Sequence, residues 1–117
     1  MTTIRLGLAL AVTSLAAATA IGTAVARPTV STVSVTASDF KFKLSTNTVK
    51  RGAVTFKVVN KGQASHDFKI AGRKTRLLEP GTSATLRVVF AKAGRYPYLC
   101  TVPGHAQLGM KGVLTVK

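Results

Sequence analysis

From Thr29 to the C-terminus, apolar residues recur at every second position in short runs, the period of strands with one face in a core. Val30, Val33 and Val35 open the first run, and Phe40-Lys-Phe42-Lys-Leu44 alternates apolar with basic residues. Val54, Phe56 and Val58 alternate with Thr55, Lys57 and Val59 before a turn signal at Asn60-Lys61-Gly62, and Leu86, Val88 and Phe90 oppose Thr85, Arg87 and Val89. Tyr96-Pro97-Tyr98-Leu99 and Lys111 to Val116 add two more runs. Gly52, Gly72, Pro80-Gly81 and Gly94 punctuate them at the short spacing of a sandwich or barrel. No segment carries a convincing helical period; Leu77-Leu78-Glu79 has room for one turn before Pro80 stops it. The pattern predicts an all-β fold, two packed antiparallel sheets of about seven or eight short strands.

The first 26 residues read differently. Met1 to Ala26 has one positive charge at Arg5, an apolar stretch from Leu6 through Ala18 and the small-residue pattern Ala24-Val25-Ala26 before Arg27-Pro28. These are the marks of a secretory signal peptide, and cleavage after Ala26 leaves residues 27–117 as one small domain. The alternative is an uncleaved anchor, but the many Ala, Thr, Ser and Gly residues make a poor membrane span. Arg5 has no adjacent arginine, which favours a general secretory route over a twin-arginine one. The expected location is therefore periplasmic or extracellular.

Composition sharpens this picture. The chain carries 17 Lys and Arg against 3 Asp and Glu, a formal charge of +14, falling to +13 when Arg5 leaves with the signal. Lys41, Lys43, Lys57, Arg73, Lys74, Arg76, Arg87 and Lys92 fall at alternating outward positions or turns, so a solvated basic surface is the plainest reading. Nucleic acid is an unsuitable partner for an exported chain with no basic-aromatic binding motif. An acidic redox protein or an anionic envelope surface suits the charge better. With one cysteine, no internal disulfide can staple a domain that buries only about 60–70% of its unfolded surface. A metal bound to the folded form would supply stability instead.

The candidate chemistry lies in Cys100-Thr-Val-Pro-Gly-His105-Ala-Gln-Leu-Gly-Met110, a connection between two predicted strands with a turn at Pro103-Gly104. Thiolate, imidazole and thioether form a soft donor set that calcium and magnesium would not select, and a thioether also disfavours zinc. The set matches a trigonal site of two histidines and one cysteine with a long, weak axial methionine, the blue-copper arrangement. His66, in Gly62-Gln-Ala-Ser-His66-Asp67-Phe68, is the one other histidine and completes it. Taken singly, Cys100 reads as a buried apolar residue, His105 as a surface-loop histidine, Met110 as core filling and His66 as part of a solvated turn. It is their coincidence that points to a metal.

The order His66, then Cys-x4-His-x4-Met near the end of a β-rich chain, resembles the cupredoxin family of small blue copper proteins, and the loop from Leu99 to Met110 is most similar to that of rusticyanin-like members. The resemblance is close over Asn60 to Lys117 and limited to a strand pattern before it. It implies a Greek-key β-sandwich with one type 1 copper ion held by His66, Cys100, His105 and Met110 at one end. It also implies one-electron transfer by Cu(II)/Cu(I) cycling, with His105 as the electron port and Val102, Pro103, Ala106 and Leu108 forming an apolar docking patch or shielding the metal from water. Asp67 stands where related proteins often carry a residue that braces the ligand loop; the alternative is an exposed strand-end aspartate.

An enzymatic role is not expected. Multicopper oxidases and nitrite reductases need further histidine-bound copper, and no histidine remains to serve as the base of a serine-histidine-acid group. The remaining alternatives are an extracytoplasmic copper carrier without electron transfer and a basic β-sandwich envelope module without metal. A monomer is expected.

Overall fold

The computed structural model describes residues 3–4, 7, 9–23 and 30–117. Arg5 and the junction from Ala24 to Pro28, on which the signal-peptide reading rests, lie outside the described residues. No described helix is long and apolar enough to cross a membrane.

Nine strands are found among the described residues: β1 (Ser31–Ser38), β2 (Lys41–Leu44), β3 (Thr48–Val49), β4 (Gly52–Asn60), β5 (Lys69–Ile70), β6 (Arg73–Lys74), β7 (Ser83–Phe90), β8 (Gly94–Leu99) and β9 (Lys111–Val116). They form one four-stranded sheet, β2-β1-β4-β7, and one five-stranded sheet, β3-β9-β8-β5-β6. The all-β sandwich is as the alternation predicts. In β4 the buried residues are Val54, Phe56, Val58 and Asn60, and in β7 they are Leu86, Val88 and Phe90, with Thr85, Arg87 and Val89 outside.

Three details correct the expectation. The strand count exceeds seven or eight because β3, β5 and β6 are two-residue pieces, too short to show a period. The sheets are mixed, since β1 pairs with β4 in parallel and β3 with β9 likewise. Finally, Leu77-Leu78-Glu79 forms no helical turn: Leu78 pairs with His66 across an isolated antiparallel bridge, exchanging N–H···O bonds of 3.0 and 2.7 Å.

The core joins the inner faces. Val33 and Val35 from β1, Val54, Phe56 and Val58 from β4, and Leu86, Val88 and Phe90 from β7 meet Ile70, Tyr98, Leu114 and Val116 from the other sheet. Phe68 is its hub, with ring centroids 5.3 Å from Phe42, 5.3 Å from Phe56 and 5.4 Å from Tyr98. Aromatic pairs of this geometry add about 0.5–1.5 kcal/mol each beyond area burial. Because Phe68 follows His66 by two residues, this packing also fixes where His66 can lie.

The parallel pairing decides what stands at one end of the sandwich. β1 and β4 run the same way in register to Ala37 opposite Asn60, so the turn at Asp39-Phe40 and the loop Lys61–Ser65 emerge side by side. The C-terminal end of β8 and the start of β9, paired as Leu99 opposite Lys111, reach the same end.

Candidate metal centre

Cys100 follows β8 directly and Met110 precedes β9 directly, and the Cys100 N–H donates to the Met110 carbonyl at 3.0 Å. The β-ladder thus closes the base of the loop. Between them the chain winds through successive turns: His105 N–H to Val102 O at 3.1 Å, Gly109 N–H to Ala106 O at 3.1 Å and Met110 N–H to His105 O at 3.1 Å. Gly104 (φ 84°) and Gly109 (φ 123°) take backbone angles that L side chains avoid, so the glycines let the loop turn back tightly enough to aim His105 inward.

The structure brings His66, Cys100 and His105 together: one ligand atom from each lies within 4.8 Å of the others. The Nδ1 atoms of His66 and His105 face one another at 3.1 Å, and Cys100 Sγ is 3.7 Å from His105 Nδ1. Two imidazole lone pairs so placed repel unless a proton or a cation sits between them. A thiol beside them makes a soft cation the fitting one. Met110 is fully buried in the same apolar cluster as Cys100 and Ala37, with Phe40, Phe42 and Val102 packed against it. The donor set therefore fits one type 1 copper ion. His66, Cys100 and Met110 are buried, whereas His105 is half-buried and alone of the four reaches toward solvent.

Electrostatics at this end run against the rest of the molecule. Each of the three acidic residues in a chain of charge +14 touches a segment bearing a candidate ligand. Asp67, nearly buried, accepts the Thr101 N–H at 2.6 Å and its other oxygen bonds the Thr101 hydroxyl, so its carboxylate braces the residue after Cys100. Glu79 accepts from the Ser65 hydroxyl at 3.2 Å. Asp39 accepts from the Gln63 N–H at 2.8 Å, the Ala64 N–H at 3.3 Å and His66 Nε2 at 2.7 Å. The backbone N–H of Gln63, followed by His66, holds the Asp39 carboxyl below the usual carboxylate range. Burial pushes the Cys100 thiol up, so its proton is retained until something stronger displaces it.

Three contributors escaped the sequence reading. Asp39 stands far from His66 along the chain and meets it only through the β1–β4 register. Asn60, read as a turn residue, is fully buried; its side-chain amide donates to Ala64 O and Leu78 O, both at 2.8 Å, and its oxygen accepts the Gly62 N–H at 2.8 Å. It therefore ties the loop before His66 to the strand segment that pairs with it. Phe40 sets its ring edge-on to His105 at 4.9 Å and to His66 at 6.1 Å, covering both imidazoles. The one signal that pointed toward Asp39 was the scarcity of acids: with so few, each needs a local reason.

Comparison with known proteins agrees with this geometry. The family model of the cupredoxin-like domain matches residues 7–116. The chain is 54% identical over 41 residues to the copper-resistant cuproprotein CopI of Pseudomonas aeruginosa, a match covering 35% of this chain and 23% of the relative. It is 31% identical over 109 residues to CopI of Rubrivivax gelatinosus, covering 74% of this chain and 66% of the relative. It thus spans less than two thirds of either relative. Among solved structures, the dithionite-reduced auracyanin of the photosynthetic bacterium Roseiflexus castenholzii superposes with a TM-score of 0.64 at 23% identity, over 74% of this chain and 97% of that one. At that identity the likeness is one of fold.

Proposed function

This chain belongs to the cupredoxin-like family, and from that premise we propose that it is an exported copper protein that carries single electrons. His66, Cys100, His105 and Met110 would hold the ion, the first three through nitrogen and thiolate donors already gathered within 4.8 Å and Met110 through its thioether. When bound, copper supplies a one-electron Cu(II)/Cu(I) couple. The protein's part is to hold the donors still: the Phe68 packing and the Asn60 hydrogen bonds fix the His66 segment, Asp67 braces Thr101, and the β8–β9 ladder ties Cys100 to Met110. A site that does not reorganise between oxidation states exchanges electrons with a low barrier. The buried carboxylate of Asp67 beside the cysteine loop favours the oxidised ion, which argues for a lower potential than the rusticyanin-like loop alone implies.

The observation that carries the electron-transfer reading is the partial exposure of half-buried His105 against the full burial of the other three. Its edge provides a route to a partner, and exposed Pro103 and Leu108 beside it offer an apolar surface for close contact. Charge supports an acidic partner. Strand register lines up Lys74, Lys69, Leu99 and Lys111 across the five-stranded sheet, so three exposed lysines flank the residue before Cys100. Stopped-flow oxidation of the reduced copper protein by an acidic one-electron acceptor tests the reading: fast exchange that slows with salt supports it, and slow exchange at all salt concentrations opposes it.

A second reading draws on the relatives. Their name, copper-resistant cuproprotein, favours a role in copper tolerance, with the chain taking up the ion outside the cytoplasm. Deleting the coding sequence separates the two, since loss of copper tolerance with intact electron flow supports the second.

A further inference from the structure

The hydrogen bond between Asp39 and His66 carries an inference that rests on His66 being a ligand and deepens that reading. His66 is fully buried, so with Asp39 in place its Nε2 proton is kept from water and needs an acceptor within the protein. That acceptor is the Asp39 Oδ1 at 2.7 Å, and the same carboxylate holds the backbone of Gln63 and Ala64 in the loop that leads to His66. Gly62 leaves room for the contact: a Cβ there would collide with the Asp39 carboxylate and lie 2.9 Å from His66 Nε2. Any side chain at position 62 would push the pair apart. Three features of the fold, the β1–β4 register, the glycine and the loop's N–H groups, thus converge on one contact.

We propose that Asp39 is the positioning residue of the copper site: by accepting the Nε2 proton of His66 it fixes the tautomer whose Nδ1 lone pair faces the metal, and its negative charge favours Cu(II) over Cu(I). A neutral acceptor would orient the ring equally well but would not bias the oxidation state. The charge makes the bond stronger than a neutral one and raises the basicity of the ligating nitrogen, an effect that groups behind a ligand exert in metal sites generally. Because Asp39, itself open to solvent, bonds the buried His66 ring directly, the bias acts at the ligand and differs from the general field of the chain.

Nitrogen-15 NMR of the metal-free full chain reads the tautomer without copper. The wild type should show His66 protonated at Nε2, and Asp39→Ala should mix the tautomers. In the copper-loaded protein, Asp39→Asn, which keeps an oxygen for the loop N–H groups, should lower the preference for Cu(II) over Cu(I) by about tenfold, an upward potential shift of about 59 mV for one electron. Gly62→Ala, which keeps the charge but breaks the contact, should shift the potential the same way. Glu79→Gln removes an equal charge beside Ser65 without touching His66, and should move the potential by less than a third as much. An unchanged potential in Asp39→Asn, an unchanged tautomer in Asp39→Ala, or an equal shift in Glu79→Gln would overturn the assignment. A chain that takes up no copper would instead overturn the proposed function, while the metal-free NMR still judges Asp39.

Discussion

Replacing Asp67 with alanine tests how the ligand loop is held. The change removes two hydrogen bonds to Thr101, one of them to its N–H at 2.6 Å, from a side chain that is only 5% exposed. Bonds to a charged group contribute about 1.5–3 kcal/mol each, but the two share one partner and do not add in full. Leaving the Thr101 N–H without an acceptor costs a further share, so the expected loss is about 2–4 kcal/mol. For a domain of this size each kcal/mol lowers the Tm by about 4–8 °C, and the whole loss is a large part of a typical 5–15 kcal/mol. Asp67→Asn keeps an oxygen for the N–H and should lose only about 1 kcal/mol. Denaturant unfolding of the metal-free protein is the right assay, because bound copper would add its own stabilisation. If Asp67→Ala unfolds within about 0.5 kcal/mol of the wild type, or if Asn is as damaging as Ala, the carboxylate is not bracing the loop.

The other predictions follow from the same geometry. Burial holds the Cys100 thiol proton on above the usual thiol range, so copper uptake at neutral pH must displace it: weakly buffered loading should release about one proton from the thiol per copper, with affinity rising as pH rises, and uptake independent of pH would contradict this. Met110→Gln should keep copper while lowering the potential, as expected of a weak axial contact; complete loss of the ion would make Met110 an anchor instead. Truncating the core with Phe56→Ala should cost about 3–5 kcal/mol in denaturant unfolding. Leu108→Asp should slow transfer to an acidic acceptor without changing the visible spectrum, and the wild-type rate should fall as the screening length shrinks from about 30 Å at 0.01 M salt to about 10 Å at 0.1 M.

The sequence made some of this legible and not the rest, for physical reasons. Strands whose one face is buried, such as β4 and β7, announce themselves because the period of two is written in Val54, Phe56, Val58 and in Leu86, Val88, Phe90. The bounds of the loop were equally plain, because Met110 and Lys111 mark the change from turn residues to alternation. Parallel pairing leaves no local mark, so the β1–β4 register that sets Asp39 against the His66 loop could not be read. Nor could the bridge between His66 and Leu78: a short apolar pair before a proline looks the same whether it turns or pairs. Asn60 shows the converse limit, since a turn former on the surface and a buried staple of a loop have the same spelling. Among the candidate ligands, His66 gave the weakest sequence signal, yet it is as fully buried as Met110, because its burial depends on residues distant in the chain such as Phe40 and Asp39, which meet its ring.

The central claim is that this fold holds a single copper ion through the cysteine thiolate, and an optical titration of the purified metal-free chain with Cu(II) tests it most directly. The account predicts saturation at one copper per chain with an intense blue absorption band that Cys100→Ser abolishes. A colourless complex, a second equivalent bound with the same strength, or a Cys100→Ser variant that stays blue would contradict it.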